Sequence, residues 1–296
     1  MQLRLEGVFP PHITPFFKNE EIDENSLRSL VHFWLDSGCA GLVSCASNGE
    51  GPYMTREERR RVLQIVIEEV DGKAPVVAGT GAPSTRETIF LTRDAKDVGA
   101  DAALVVSPYY FKPDGRELFE HYSSVISSTD IPVIVYNVPK FTGYNLDPAV
   151  VVRLAEEFGQ VVGVKDSGGS IGQISELIDR VGSRISVLAG TADVLLPCLL
   201  MGGKGGVLAV ANVAPRLCAD VYDHFKENEI ERARQAQMKV LHLNDVLIKK
   251  FNQISAIKEA MNQIGKPAGY PRRPSLPLDE KARNEVREVL ARVGID

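Results

Sequence analysis

Residues 131–165 read IPVIVYNVPKFTGYNLDPAVVVRLAEEFGQVVGVK, and the fold turns on this stretch. Val133–Tyr136 and Val161–Lys165 are short, apolar and rich in β-branched residues. Between them lies a helix opened by Asp147-Pro148 and ended at Gly159. An Asp N-cap accepts from free backbone N–H groups, and Pro is harmless at the first helical position because its missing N–H would have no partner there. Strands apolar almost throughout are buried on both faces, as parallel strands joined by right-handed crossover helices are.

The same alternation extends in both directions. Further strand candidates are Gly7–Ile13, Gly41–Cys45, Val76–Gly79, Ala102–Val106, Ile185–Leu188 and Val207–Val210, which makes eight in all. The first helix places Leu27, Leu30, Val31, Trp34 and Leu35 on one face at steps of three and four. Thr55 with Glu58, and Ser84 with Glu87, have capping-box spacing at the starts of the next two. Eight such units fit either an open doubly wound sheet or a closed (β/α)8 barrel. The repeat is regular, no linker or second composition regime interrupts it, and no GxGxxG follows the first strand, so the α/β class with TIM-barrel closure is expected.

Beyond residue 226 the pattern turns helical, over Glu229–Phe251, Ile254–Ile264 and Asp279–Val293, with KPAGYPRRPSLP between the last two. Residues 1–226 are therefore read as the barrel and 227–296 as a C-terminal helical extension packed on it, an oligomer contact being the alternative role.

With 44% hydrophobic and 25% charged residues, the 296-residue chain is of globular composition, which excludes a disordered or low-complexity scaffold. A net charge of −5 gives no electrostatic reason to hold nucleic acid or an anionic membrane. The start, MQLRLEGVFPPHITPF, lacks a secretory pattern, and no apolar run reaches the ~18 residues of a membrane span, so a cytoplasmic protein is expected. Cys39, Cys45, Cys198 and Cys218 lack CxxC spacing and read as free thiols. The histidines at 12, 32, 121, 224 and 242 lack metal-ligand spacing, so neither a metal nor an organic cofactor is expected.

Functional groups of such a barrel sit at the C-terminal ends of its strands. Lys165 ends VVGVK there. Burial without a counter-charge favours a neutral amine, the form that attacks a ketone to make a Schiff base. The competing reading is a lysine that reaches solvent or pairs with Asp166. Tyr136 ends VIVY 29 residues earlier, about one βα repeat, so its phenol is a candidate proton carrier beside that amine, or else a core aromatic. Ser47-Asn48-Gly49-Glu50 follows the second strand and is able to hold a carboxylate through hydroxyl, amide and backbone N–H groups, or is an ordinary turn. Tyr109 and Tyr110 suit a pocket wall or an oligomer interface, or are plain loop residues.

On GVFPPHITPF, GLVSCASNGEG, VAGTGAPSTRETI, ADAALVVSPYYFKP, IPVIVYNVP, VVGVKDSGG and GGVLAVANVAP, in that order along nearly the whole chain, the sequence resembles the dihydrodipicolinate synthase and N-acetylneuraminate lyase family of class I pyruvate-dependent aldolases. The resemblance implies a TIM barrel, commonly a homotetramer. It puts the Schiff-base lysine at Lys165, the proton-relaying tyrosine at Tyr136 and the relay hydroxyl at Ser47. Tyr110 would be lent to a neighbouring subunit's site. Asn48 would bind the pyruvate carboxylate through its backbone, and Leu208 would cover the bound pyruvate. Gly190 of LAGTAD and Phe141 complete the expected substrate-contacting positions.

One departure stands out. Where dihydrodipicolinate synthases resemble YNVPGRTG, with Arg gripping the aldehyde's carboxylate, this chain has YNVPKFTG, with Phe141 in that place. The SNGE loop, KDSGG and LAGTAD look more like those of the 4-hydroxy-2-oxoglutarate and 2-keto-3-deoxy sugar acid aldolase branches, so the chain is expected to stand closer to these than to true dihydrodipicolinate synthases, and the expected reaction is a lyase or aldolase step between pyruvate and an aldehyde, on a substrate such as 4-hydroxy-2-oxoglutarate or 2-keto-3-deoxygluconate. The alternatives are dihydrodipicolinate synthesis, dehydration of a deoxy sugar acid, and a non-catalytic 2-oxo acid sensor.

Overall fold

The computed structural model describes residues 3 and 5–295. Eight parallel strands are present: β1 (Gly7–Phe9), β2 (Leu42–Ser44), β3 (Val76–Gly79), β4 (Ala102–Val106), β5 (Val133–Asn137), β6 (Val161–Asp166), β7 (Ser186–Ala189) and β8 (Gly205–Val207). Each pairs with its neighbour in the chain, and β8 returns to β1. The ring closes where the Val43 N–H donates to Pro10 O and the His12 N–H to Val43 O, both at 3.0 Å. The result is a TIM barrel.

Helices α1 (Glu24–Asp36), α2 (Arg56–Val70), α3 (Thr85–Asp97) and α4 (Gly115–Ser127) follow β1 to β4. A single turn α5 (Pro139–Thr142) precedes α6 (Pro148–Glu157), and α7 (Ile171–Val181), α8 (Leu195–Leu200) and α9 (Pro215–Lys226) complete the outer ring. Thr55 and Glu58 form the full reciprocal capping box. Ser84 accepts from the Glu87 N–H without the return bond, and Asp147 caps α6 through the Ala149 N–H at 2.8 Å.

Two strands differ from their expected spans by more than one residue at an end. β1 stops at Phe9 because Pro10 and Pro11 have no N–H to continue the ladder, although their carbonyls still accept. β8 lies earlier than Val207–Val210. Gly205 packs against β1 so closely that a Cβ would sit 1.9 Å from the Gly7 carbonyl. After Val207 the chain leaves the ladder in a 3-10 turn over Ala209–Asn212. The Asn212 side chain holds that turn against the β1 loop, accepting from the Ile13 N–H at 2.9 Å and donating to Pro11 O at 3.0 Å.

The core has two layers. Phe9, Val43, Val77, Leu104, Ile134, Leu188 and Val207 fill the barrel. Trp34, Leu42, Val66, Val133, Val135, Val164 and their neighbours pack between strands and helices. After α9 come α10 (Ile230–Asn244), a π-helical turn over Asp245–Lys250, α11 (Gln253–Gln263) and α12 (Glu280–Val293). Gln237 of α10 fastens to the β7–α8 segment, accepting from the Leu196 N–H at 3.0 Å and donating to Ala192 O at 2.8 Å. No helix among the described residues is long and apolar enough to cross a membrane.

Candidate active site

Lys165 and Tyr136 occupy paired positions on β6 and β5. Both point into the barrel mouth. A register irregularity is responsible: β5 pairs Val133 with Val161 but Ile134 with Gly163, so one extra residue bulges on β6. Val161 and Val164 pack in the outer layer, Val162 in the inner one, and a Cβ on Gly163 would face Leu5 and Ile134 inside. Strict alternation from Val161 would have turned Lys165 outward; the bulge re-aims it. Lys165 is 3% exposed, and its Nζ lies 4.1 Å from the centre of the Tyr136 ring.

Asp166 does not pair with Lys165. Successive strand residues face opposite ways, and the buried Asp166 carboxylate accepts from Asn137 Nδ2 (2.9 Å), Gln173 Nε2 (2.7 Å) and the Gly168 N–H (2.8 Å). Lys165 has no carboxylate partner among the described residues.

The cavity in front of Lys165 is lined by Ser47, Asn48, Tyr136, Lys140, Phe141, Ser167, Gly190 and Thr191, with Val207 and Ala209 from the β8 end. At Gly190 a Cβ would stand 2.0 Å from Ser167 Oγ, so no larger residue fits this wall without a shift. A second, more apolar lobe shares Ser47, Tyr136, Val138 and Phe141 and runs outward past Leu104, Val106, Tyr109 and Arg59. Phe141, 46% exposed, forms part of the wall of both lobes. Burial raises the Tyr109 phenol above its ordinary value.

The C-terminal extension also reaches the site, which the motifs alone do not reveal. Asn244, Ile248 and Gln253 line the Lys165 cavity. Gln253 Nε2 donates to Asn48 Oδ1 at 2.6 Å, and Lys140 Nζ donates to Gln253 Oε1 at 2.9 Å and Ile248 O at 3.1 Å. Beneath the Asn48 loop, Glu50 is buried with a left-handed backbone, φ 57°. Its carboxylate pairs with the fully buried Lys258 of α11 at 2.5 Å and accepts from the Arg272 N–H at 2.8 Å. Burial pushes Glu50 up and Lys258 down, each opposed by the partner's charge. One signal of this pair is legible afterwards in FNQISAIKEAM: Lys258 lies on the apolar stripe of Ile254, Ile257 and Met261.

Two expected site residues are not brought to the cavity. Leu208 is fully buried in the outer layer, because strand alternation turns Val207 inward and Leu208 away; Val207 and Ala209 line the position expected of it. Tyr110 is 90% exposed, with φ +82°, and stacks edge-on with the exposed Phe111 at 5.1 Å, pointing away from its own barrel. All four cysteines are free and buried. Among the described residues, His224, Glu227 and Glu229 are the group close enough to share an ion, and none lines the cavity.

Relatives share this architecture from end to end. A 4-hydroxy-tetrahydrodipicolinate synthase from Methanopyrus kandleri is 38% identical over 296 residues, covering 100% of this chain and 98% of that protein. The dihydrodipicolinate synthase of Acinetobacter baumannii, solved with pyruvate, superposes with a TM-score of 0.95 at 33% identity, covering 99% of this chain and 100% of that one. A monomeric dihydrodipicolinate synthase variant also reaches 0.95 at 33% identity, covering 99% and 98%. These names correct one expectation: they give no support to a closer kinship with the 4-hydroxy-2-oxoglutarate and 2-keto-3-deoxy sugar acid branches than with the synthases. Matched over residues 4–293 by the model of the Dihydrodipicolinate synthetase family, the chain belongs to that family of pyruvate-dependent Schiff-base lyases.

Proposed function

We propose that this chain condenses pyruvate with aspartate semialdehyde, the reaction of a 4-hydroxy-tetrahydrodipicolinate synthase, through an imine on Lys165. The observation that carries the reading is a lysine amine without a counter-charge, facing a tyrosine at the mouth of a barrel whose full-length relatives bear that name. The amine adds to the pyruvate ketone and water leaves, giving a protonated imine. That cation takes up the electron pair when C3 loses a proton, and the resulting enamine attacks the aldehyde carbon. Tyr136 carries protons in the carbinolamine steps, with Ser47 as its relay, and the Ser47-Asn48 loop holds the pyruvate carboxylate. The exposed Tyr110–Phe111 pair supports an assembly, a homotetramer in this reading, in which a neighbouring copy takes up Tyr110.

Borohydride added with pyruvate is expected to fix a stable adduct on Lys165, and the untreated protein is expected to consume aspartate semialdehyde only when pyruvate is present. No adduct on Lys165 would overturn the imine. Phe141 favours a second reading, aldol cleavage of a 4-hydroxy-2-oxo acid or deoxy sugar acid, because a phenyl ring cannot grip a carboxylate. Pyruvate release from 4-hydroxy-2-oxoglutarate or 2-keto-3-deoxygluconate, with aspartate semialdehyde inert, would establish it instead.

A further inference from the structure

With Phe141 unable to hold an anion, the second substrate's carboxylate needs another cation. Besides Lys165, two side chains along the cavity carry positive charge without an acidic partner among the described residues. Arg59 is 9% exposed and its buried Nε has no hydrogen-bond partner among the described residues, but it lines the outer lobe, which Lys165 does not reach. Lys140 lines the same lobe as Lys165, next in sequence to Phe141.

The surroundings of Lys140 are unusual for a surface lysine. Its ammonium donates to two neutral acceptors, Gln253 Oε1 at 2.9 Å and Ile248 O at 3.1 Å. An ammonium has three N–H donors and no acceptor, so one donor and the whole charge remain for a ligand. The contact also fixes the Gln253 amide: with its oxygen on the ammonium, its nitrogen must face Asn48 Oδ1, 2.6 Å away. Lys140 is thereby tied to the loop proposed to hold pyruvate, across the mouth of one cavity.

We propose that Lys140, positioned by Gln253, receives the carboxylate at the far end of the second substrate, standing in for the guanidinium that position 141 lacks. This rests on the imine reading above. Gln253 acts through Lys140 and Asn48 and is a positioning residue.

The test measures steady-state kinetics of the full-length protein with aspartate semialdehyde and with propanal, which has no carboxylate, alongside borohydride trapping of pyruvate. Lys140→Met is expected to raise KM for aspartate semialdehyde about tenfold or more, the loss of one charge-assisted hydrogen bond, and to change trapping and the propanal KM by much less. Lys140→Arg is expected to restore most of the affinity. Gln253→Glu, which gives the ammonium an anionic partner, is expected to raise the same KM. An unchanged KM in Lys140→Met, an equal rise for propanal, or the loss appearing in Arg59→Met instead would overturn the proposal. No trapping on unaltered Lys165, or trapping without any turnover of aspartate semialdehyde, would instead remove the functional reading and this inference with it.

Discussion

The Lys165 ammonium nitrogen stands 4.1 Å from the centre of the Tyr136 ring, on paired residues of adjacent strands. A cation over a tyrosine face is attracted by the ring's quadrupole, which holds the amine in the barrel mouth without a carboxylate. A carboxylate would tether the nitrogen in an ion pair; the ring face leaves it directed at the cavity.

The first prediction separates the two residues. Lys165→Met is expected to abolish borohydride trapping of pyruvate while the far-ultraviolet circular dichroism is retained. Tyr136→Phe keeps the ring under the amine and removes only the hydroxyl. It is expected to be trapped still, but more slowly, and to lose about 10²–10⁴ in kcat, the usual contribution of a positioned proton carrier. Equal turnover in Tyr136→Phe would exclude the phenol from proton transfer.

A second concerns Glu50 and Lys258, buried together at 2.5 Å. Removing one partner leaves the other charge buried alone, so Glu50→Gln is expected to cost about 3–5 kcal/mol in urea unfolding. The double variant Glu50→Gln with Lys258→Met is expected to lose much less than the two single losses added. Strict additivity would mean that the two groups do not act as a pair.

Gly190→Ala tests the cavity wall. Its new Cβ would lie 2.0 Å from Ser167 Oγ and 2.8 Å from the Asp166 carbonyl. Relief requires backbone movement at the end of β6, at a cost of about 1–3 kcal/mol, and that movement would displace Lys165. Slower pyruvate trapping is expected along with the lowered stability; trapping at the unaltered rate would show that the wall yields elsewhere.

Acid stability follows from two buried histidines. Burial lowers His12 and His121 from 6.5 to about 4. Below pH 6.5 the unfolded chain takes up protons that the folded state refuses until about pH 4, so stability falls as pH drops through that window and gains nothing above it. The slope has an upper bound of about 1.4 kcal/mol per pH unit for each histidine. Urea midpoints measured from pH 7 to 4 are expected to fall less in His12→Gln and His121→Gln than in the parent; identical slopes would assign the acid sensitivity to other groups.

Local order in the chain specified much of this molecule. Apolar runs of four to six residues, the Thr55–Glu58 box and the Asp147-Pro148 start act within a few residues of themselves, so eight strands and their helices are legible one at a time. The pairing of Lys165 with Tyr136 follows from the repeat length for the same reason. Contacts between residues distant in the chain could not be read that way. The β6 bulge that turns Lys165 inward depends on register against β5, and the outward facing of Leu208 depends on where β8 leaves the ladder. Gln253 and Lys258 meet Asn48 and Glu50 across some two hundred residues. Periodicity measures which face of an element is apolar; only the folded packing selects which distant polar group that face will meet.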